Sequence, residues 1–191
     1  GGSDGTIDDA SFNAAVKAWG ESWNDNARYQ DWAKYPVSSI WDSGFAIETK
    51  EALLIPMSKR PDIFTILCTQ DVSQPQNTEQ EDSSIAVALR AAFGAYPESI
   101  MHGTPVARGM VIGQSGYLIS GTYKGLLPLS LEFAKMVADY MGAASGRWDE
   151  ARAMDVSPNN RVTMFRNVNN SFKPATSRKR DWDNGLVWAQ Y

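Results

Sequence analysis

Two groups of side chains in this sequence could do chemistry. The first is a pair of carboxylates. Asp42 opens the turn Asp42-Ser43-Gly44-Phe45 after a strand-like stretch, and Asp71 follows the apolar run from Ile63 to Thr69. Carboxylates at the ends of neighbouring strands are oxygen donors suited to Mg²⁺ and, through it, to a triphosphate. The second group is basic. Residues 156–180 carry Arg161, Arg166, Lys173, Arg178, Lys179 and Arg180 and no acid, in a chain of formal net charge −4. Asn159, Asn160, Asn167, Asn169, Asn170, Phe165 and Phe172 lie between these cations. Cations contact phosphate, amides reach phosphate or base edges, and aromatic rings stack on bases.

The rest of the chemical inventory is thin. Cys68 is the only cysteine and His102 the only histidine, so one chain can build neither an internal disulfide nor a metal site rich in His and Cys. Any triad would have to use His102, which stands in the loop sequence His102-Gly103-Thr104-Pro105. Cys68 lies inside an apolar strand, where a buried, inert thiol is expected. No P-loop, dinucleotide-binding glycine pattern, CxxC or HExxH is present. Trp41-Asp42-Ser43-Gly44 and Trp182-Asp183-Asn184-Gly185 echo each other. A tryptophan beside a hydroxyl-binding acid suits a sugar, but turn chemistry with a packed Trp explains the pattern more simply.

The carboxylate reading carries a resemblance. Asp42 before Gly44-Phe45, Asp71 at a second strand end, the glycine-containing segment Gly109-Met110-Val111-Ile112-Gly113 and an apolar helix over Leu131–Met141 together resemble class III nucleotide cyclases. The resemblance implies a palm-like domain with Asp42 and Asp71 as metal ligands for a nucleoside triphosphate. The chain departs from that pattern in the short Asp-to-Gly-Phe spacing and in having no Asn and Arg pair on the helix.

These groups need elements to position them. Phe12, Val16, Trp19 and Trp23 recur at helical spacing and predict an amphipathic helix over 8–23, opened by Thr6 and Asp9. A short helix over 27–34 ends before Pro36. Residues 37–49 read as extended, Ala52–Ile55 as a short strand, and 62–69 as a strand buried on both faces. The polar stretch 70–82 reads as a loop, with Ser83 capping a helix to Ala95. Val106 to Lys124 reads as a β-hairpin turning at Gly113-Gln114-Ser115-Gly116, and a helix over 128–142 starts at Pro128. Short strands at 161–166 and 185–189 complete the pattern. Trp19, Trp23, Trp32 and Trp41 are expected in the core.

The expected fold is therefore α+β: a small, mostly antiparallel sheet containing the central 106–124 hairpin, packed by three or four helices. Residues 1–7 read as a flexible leader and 8–191 as a single globular domain ending in the basic segment. With 43% hydrophobic and 21% charged residues the composition is ordinary, and no apolar run reaches the roughly 18 residues a membrane helix needs. A single cysteine and no signal-peptide pattern favour a cytoplasmic setting. The stretch from Asp62 to Asp82 holds five acids and no Lys or Arg, a sign opposite to that of the basic segment. Head-to-tail copies could bring the two together. The leading expectation is a non-catalytic, cofactor-free assembly or binding protein, a coat- or scaffold-like subunit that meets another copy, another protein or nucleic acid. The alternatives are a metal-dependent enzyme acting on nucleotides through Asp42 and Asp71, and a lectin-like module.

Overall fold

The structure is a computed structural model that describes residues 8–60, 62–94, 109–143, 162–170, 175–183 and 186–187. The expected leader, His102, Arg161, Phe172, Lys173 and the Asn184-Gly185 turn lie outside the described residues.

Helix α1 spans Asp9–Glu21, and the carboxylate of Asp8 caps it by accepting the Ser11 N–H at 2.7 Å. It packs along α2 (Ile47–Ala52) with one face and leaves the other exposed. Gly20 makes that packing close: a Cβ there would stand 2.5 Å from the Ala52 carbonyl oxygen. A 3₁₀ turn at Ala27–Gln30 follows, shorter than the expected helix. Strand β1 is only Ser39–Trp41, and the chain then enters α2 and α3 (Leu54–Lys59). The strand expected at Ala52–Ile55 is thus helical. Ala52, Leu53, Leu54 and Ile55 are all buried, and a short fully buried apolar run has no period by which to tell a strand from a helix.

Strand β2 is Phe64–Cys68, and α4 runs Glu79–Gly94. The helix starts earlier than expected because Thr78 and Glu81 form a capping box: the Thr78 hydroxyl accepts the Glu81 N–H at 3.3 Å, and the Glu81 carboxylate accepts the Thr78 N–H at 2.7 Å. Ser83 is inside the helix and caps nothing. The remaining elements are β3 (Gly109–Ile112), β4 (Ser115–Leu118), β5 (Leu126–Pro128), α5 (Ser130–Ala143), β6 (Phe165–Arg166), α6 (Ala175–Asp183) and β7 (Leu186–Val187). Pro128 therefore ends a strand, two residues before the helix it was expected to open.

Helices and strands are both present, but among the described residues the expected mostly antiparallel sheet is replaced by two sheets. One is a four-stranded parallel sheet in the order β1-β2-β3-β7. The other is a three-stranded antiparallel sheet in the order β5-β4-β6. Among the described residues 109–124 the expected hairpin does not form, and with it goes the hairpin that the cyclase resemblance required. Residues 109–112 pair in parallel with β2, whereas 115–118 pair with β5 and β6. Two facts account for this. Val111 and Ile112 are both buried, so their strand is covered on both faces, as parallel strands are. Gln114 then takes φ 78°, which turns the chain out of the first sheet instead of folding it back alongside β3.

Alternate residues of β2 and β3 enter separate cores. Leu67 and Val111 pack with Trp23, Leu54, Leu89 and Leu186 under the helices α1 to α4. Ile66 and Ile112 pack with Leu129, Phe165, Leu118 and Leu131 under α5 and the antiparallel sheet. The parallel sheet is thus the middle layer, with α1 and α2 on one side and the antiparallel sheet on the other.

Candidate functional site

Both sequence-predicted carboxylates lie at the carboxyl ends of the parallel strands, where ligands of open α/β sheets bind. Asp42 follows β1 directly and is 2% exposed. Its Oδ1 accepts the N–H groups of Gly44 (2.8 Å) and Phe45 (3.0 Å), which folds the turn; Gly44 sits at φ 109°, a backbone region open to glycine. Its Oδ2 accepts the Cys68 N–H at 3.0 Å and the Lys50 ammonium at 2.5 Å. Lys50 comes from α2, is itself 2% exposed, and also donates to the Gln70 carbonyl at 2.8 Å. The Cys68 thiol lies 3.3 Å from Asp42 Oδ2 and 3.6 Å from Lys50 Nζ. Burial pushes that thiol upward in pKa, and the Asp42 charge pushes it further, so Cys68 is held protonated. Asp42 and Lys50 therefore clamp β1, α2 and the end of β2 together, and every strong acceptor direction of Asp42 is engaged.

Asp71 stands apart in role. Burial alone would raise its carboxyl, but the Ser73 hydroxyl and the Gln74 and Ser73 N–H groups donate to it and hold it below the usual carboxylate range. The Val72 N–H donates to the Gly44 carbonyl at 3.2 Å, so the turns carrying Asp42 and Asp71 touch through backbone. Their carboxylates are directed to separate partners. Among the described residues no group of three or more His, Cys, Asp or Glu could hold a metal ion.

A second buried polar cluster was not anticipated from sequence. Asp82, fully buried on α4, accepts the Thr69 hydroxyl (2.5 Å), the Asn77 amide (3.3 Å) and the Asn170 amide (3.1 Å). Asn169 donates to the Asn77 carbonyl (2.8 Å) and accepts the Ser115 N–H (2.7 Å). Asn170 takes φ 49°, which asparagine tolerates. The loop before α4, part of the polar stretch 70–82, is thereby tied to the 165–170 segment. The signal that was legible is Thr78-Glu79-Gln80-Glu81, a capping-box sequence. The long-range partners of Asp82 and Lys50 carry no local signal at all.

The basic segment is divided in use. Arg166 is exposed on β6. Lys179 and Arg180 are exposed on α6, with Arg180 donating to the Ser83 hydroxyl (2.7 Å) and to Asp181 (3.0 Å). Asp181 in turn accepts the Ser83 hydroxyl at 2.7 Å. The acidic helix start and the basic segment thus meet inside one chain. Asn169 and Asn170 are internal ties, and Phe165 is 3% exposed in the core beneath the antiparallel sheet. Among the described residues, the outward ones of the polyanion-reading set expected there are Arg166, Asn167, Lys179 and Arg180; Arg178 lies in α6.

Large apolar side chains remain at the surface. Of the four tryptophans expected in the core, Trp23 is buried and Trp41 packs beside Ile66, but Trp19 is 36% and Trp32 72% exposed. Phe12 is 56% exposed, and Ile119, Tyr117 and Tyr123 are exposed around the antiparallel sheet. Trp41 donates its indole N–H to the Ser39 hydroxyl at 3.1 Å, which fits a packed Trp beside a turn. No helix among the described residues is long and apolar enough to cross a membrane. No known family model matches the chain, and no curated protein matches its sequence.

Proposed function

We propose that this chain is a non-catalytic assembly or binding protein, a coat- or scaffold-like subunit that works through its surface. The observation that carries the reading is the division of labour among its side chains. Of the groups with chemical potential, Asp42, Lys50 and Cys68 are buried and bonded to one another or to backbone, and Asp82 is buried against Thr69, Asn77 and Asn170. The large apolar side chains of Phe12, Trp19, Trp32, Tyr117, Ile119 and Tyr123 are at the surface instead. Exposed aromatic groups gathered on particular faces mark contact surfaces, and Trp and Tyr are the residues that dominate binding energy there. The outward cations Arg166 and Lys179 supply the polar rim of such a contact, to another protein or to a polyanion.

Size-exclusion chromatography with light scattering, at low and high salt, tests this reading. The expected result is a mass above that of the monomer that falls as salt rises. A monomer at every salt and concentration, with no retention of a labelled oligonucleotide, refutes it.

A further inference from the structure

Among the described residues, two exposed apolar surfaces lie on opposite sides of the parallel sheet and differ in charge. On α1, Phe12, Ala15 and Trp19 stand at i, i+3 and i+7 and are all exposed, so they form one outward stripe. Its inward face is used up by Val16 and Gly20 against α2 and the helical core. Asp8, Asp9 and Glu21 on the α1 side, and Glu48 and Glu51 on the adjoining α2, are exposed. Lys17, paired with Glu21, is the one cation on these two helices outside the core.

The antiparallel sheet has the reverse character. Register places Leu126, Tyr117 and Arg166 in one row across β5, β4 and β6. The inward side is Leu118, Leu127 and Phe165, packed on the second core, so this row faces out. Ile119, two residues beyond Tyr117, falls on the same side and is 59% exposed. Residues 109–131 and 162–170 contain Lys124 and Arg166 and no acid.

We infer that copies of this chain associate head to tail, with the acidic, aromatic α1–α2 face of one copy seated on the basic, aromatic antiparallel-sheet face of the next. The inference rests on the assembly reading and names its partner. Opposite charge on two apolar faces favours that pairing and disfavours each face meeting itself. Because the faces lie on opposite sides of the parallel sheet and differ from each other, the contact is heterologous, and each added copy leaves a fresh face of each kind.

Two sets of surface variants test it in light scattering. In the first, Phe12→Ser/Trp19→Ser and Tyr117→Ser/Ile119→Ser are made separately; each is monomeric alone, and mixing them yields a particle of twice the monomer mass. In the second, Glu48→Lys/Glu51→Lys and Lys124→Glu/Arg166→Glu each lose assembly at low salt, and their mixture regains it. Circular dichroism of each variant verifies the fold, and the charge variants, which touch no core group, keep the test open if a serine variant is unstable. The wild-type association weakens about tenfold or more toward 1 M salt, where the Debye length is roughly 3 Å. If the Tyr117→Ser/Ile119→Ser variant still dimerises alone, the α1 face pairs with itself; the head-to-tail contact is then overturned while assembly stands. If wild-type protein is monomeric throughout, both readings fall. If it is monomeric but retains an oligonucleotide that Lys124→Glu/Arg166→Glu loses, the sheet face serves nucleic acid and the self-contact is overturned.

Discussion

Lys50→Met removes the ammonium from the buried pair with Asp42 and keeps most of the apolar stem. Breaking a buried pair by removing one partner costs about 3–5 kcal/mol, because the other charge is stranded. The structure says where in that range each partner falls. Without Lys50, the Asp42 carboxylate still accepts the N–H groups of Gly44, Phe45 and Cys68. Those three bonds still compensate part of its buried charge. Lys50→Met therefore sits near the lower bound, about 3 kcal/mol. Asp42→Asn leaves the ammonium with the Gln70 carbonyl and a thiol as its only strong contacts, in a site that is 2% exposed. It belongs near the upper bound, about 5 kcal/mol, a large part of the roughly 5–15 kcal/mol that a domain has. The double variant Asp42→Asn/Lys50→Met strands no charge, so it costs less than the sum of the singles by about 2–3 kcal/mol. Urea unfolding followed by tryptophan fluorescence, to which buried Trp23 contributes, and by far-ultraviolet circular dichroism reads these differences as shifts in midpoint at constant slope. If Lys50→Met costs more than Asp42→Asn, or if the two singles simply add, the account of this cluster is wrong.

Other consequences are simpler to check. Thr78→Ala breaks the capping box of α4 and is expected to cost about 1 kcal/mol in the same urea assay. The N–H and hydroxyl of Thr78 hold the Glu81 carboxyl below its ordinary value. Its contribution is therefore fully present above the unfolded-state pKa and lost as pH falls through the folded one; Glu81→Gln should flatten the acid limb of a stability–pH curve, and an unchanged limb counts against the box. Gly20→Ala gains helix propensity of about 1 kcal/mol but drives a methyl into the Ala52 carbonyl, so net destabilisation of roughly 1–3 kcal/mol is expected; a stabilised variant would show that α1 and α2 can separate freely. Cys68 should react with a thiol reagent only at the rate of unfolding, and fast labelling of native protein would contradict its burial.

Particular elements show what was legible in sequence. The helix near 9–21, the buried strand 64–68 and the helix near 130–143 carry strong periodic or continuous apolar patterns, and each was read from them. The strand–turn–strand pattern at 109–118 is legible too, but its pairing is not. A glycine-rich turn between apolar runs is compatible with a hairpin or with a strand that changes sheets, and local sequence does not separate the two. Only the burial of Val111 and Ile112 on opposite faces and the backbone of Gln114 decide it. Ala52–Ile55 failed for a related reason, since a run buried on every side has no period.

The sequence by itself determined the scarcity of thiol and imidazole groups, because composition alone limits the chain to one cysteine and one histidine. It also determined the opposite signs of the 62–82 and 156–180 stretches, since charge is carried residue by residue. The tertiary structure decided what those residues do. It buried Asp42 against Lys50, closed Asn169 and Asn170 onto the loop before α4, and joined Ser83 to Asp181 and Arg180 within one chain. It also left Trp19 and Trp32 outside while drawing Trp23 in. Such assignments depend on contacts between residues up to 98 positions apart, and exposure is a property of the packed whole, which no local pattern encodes.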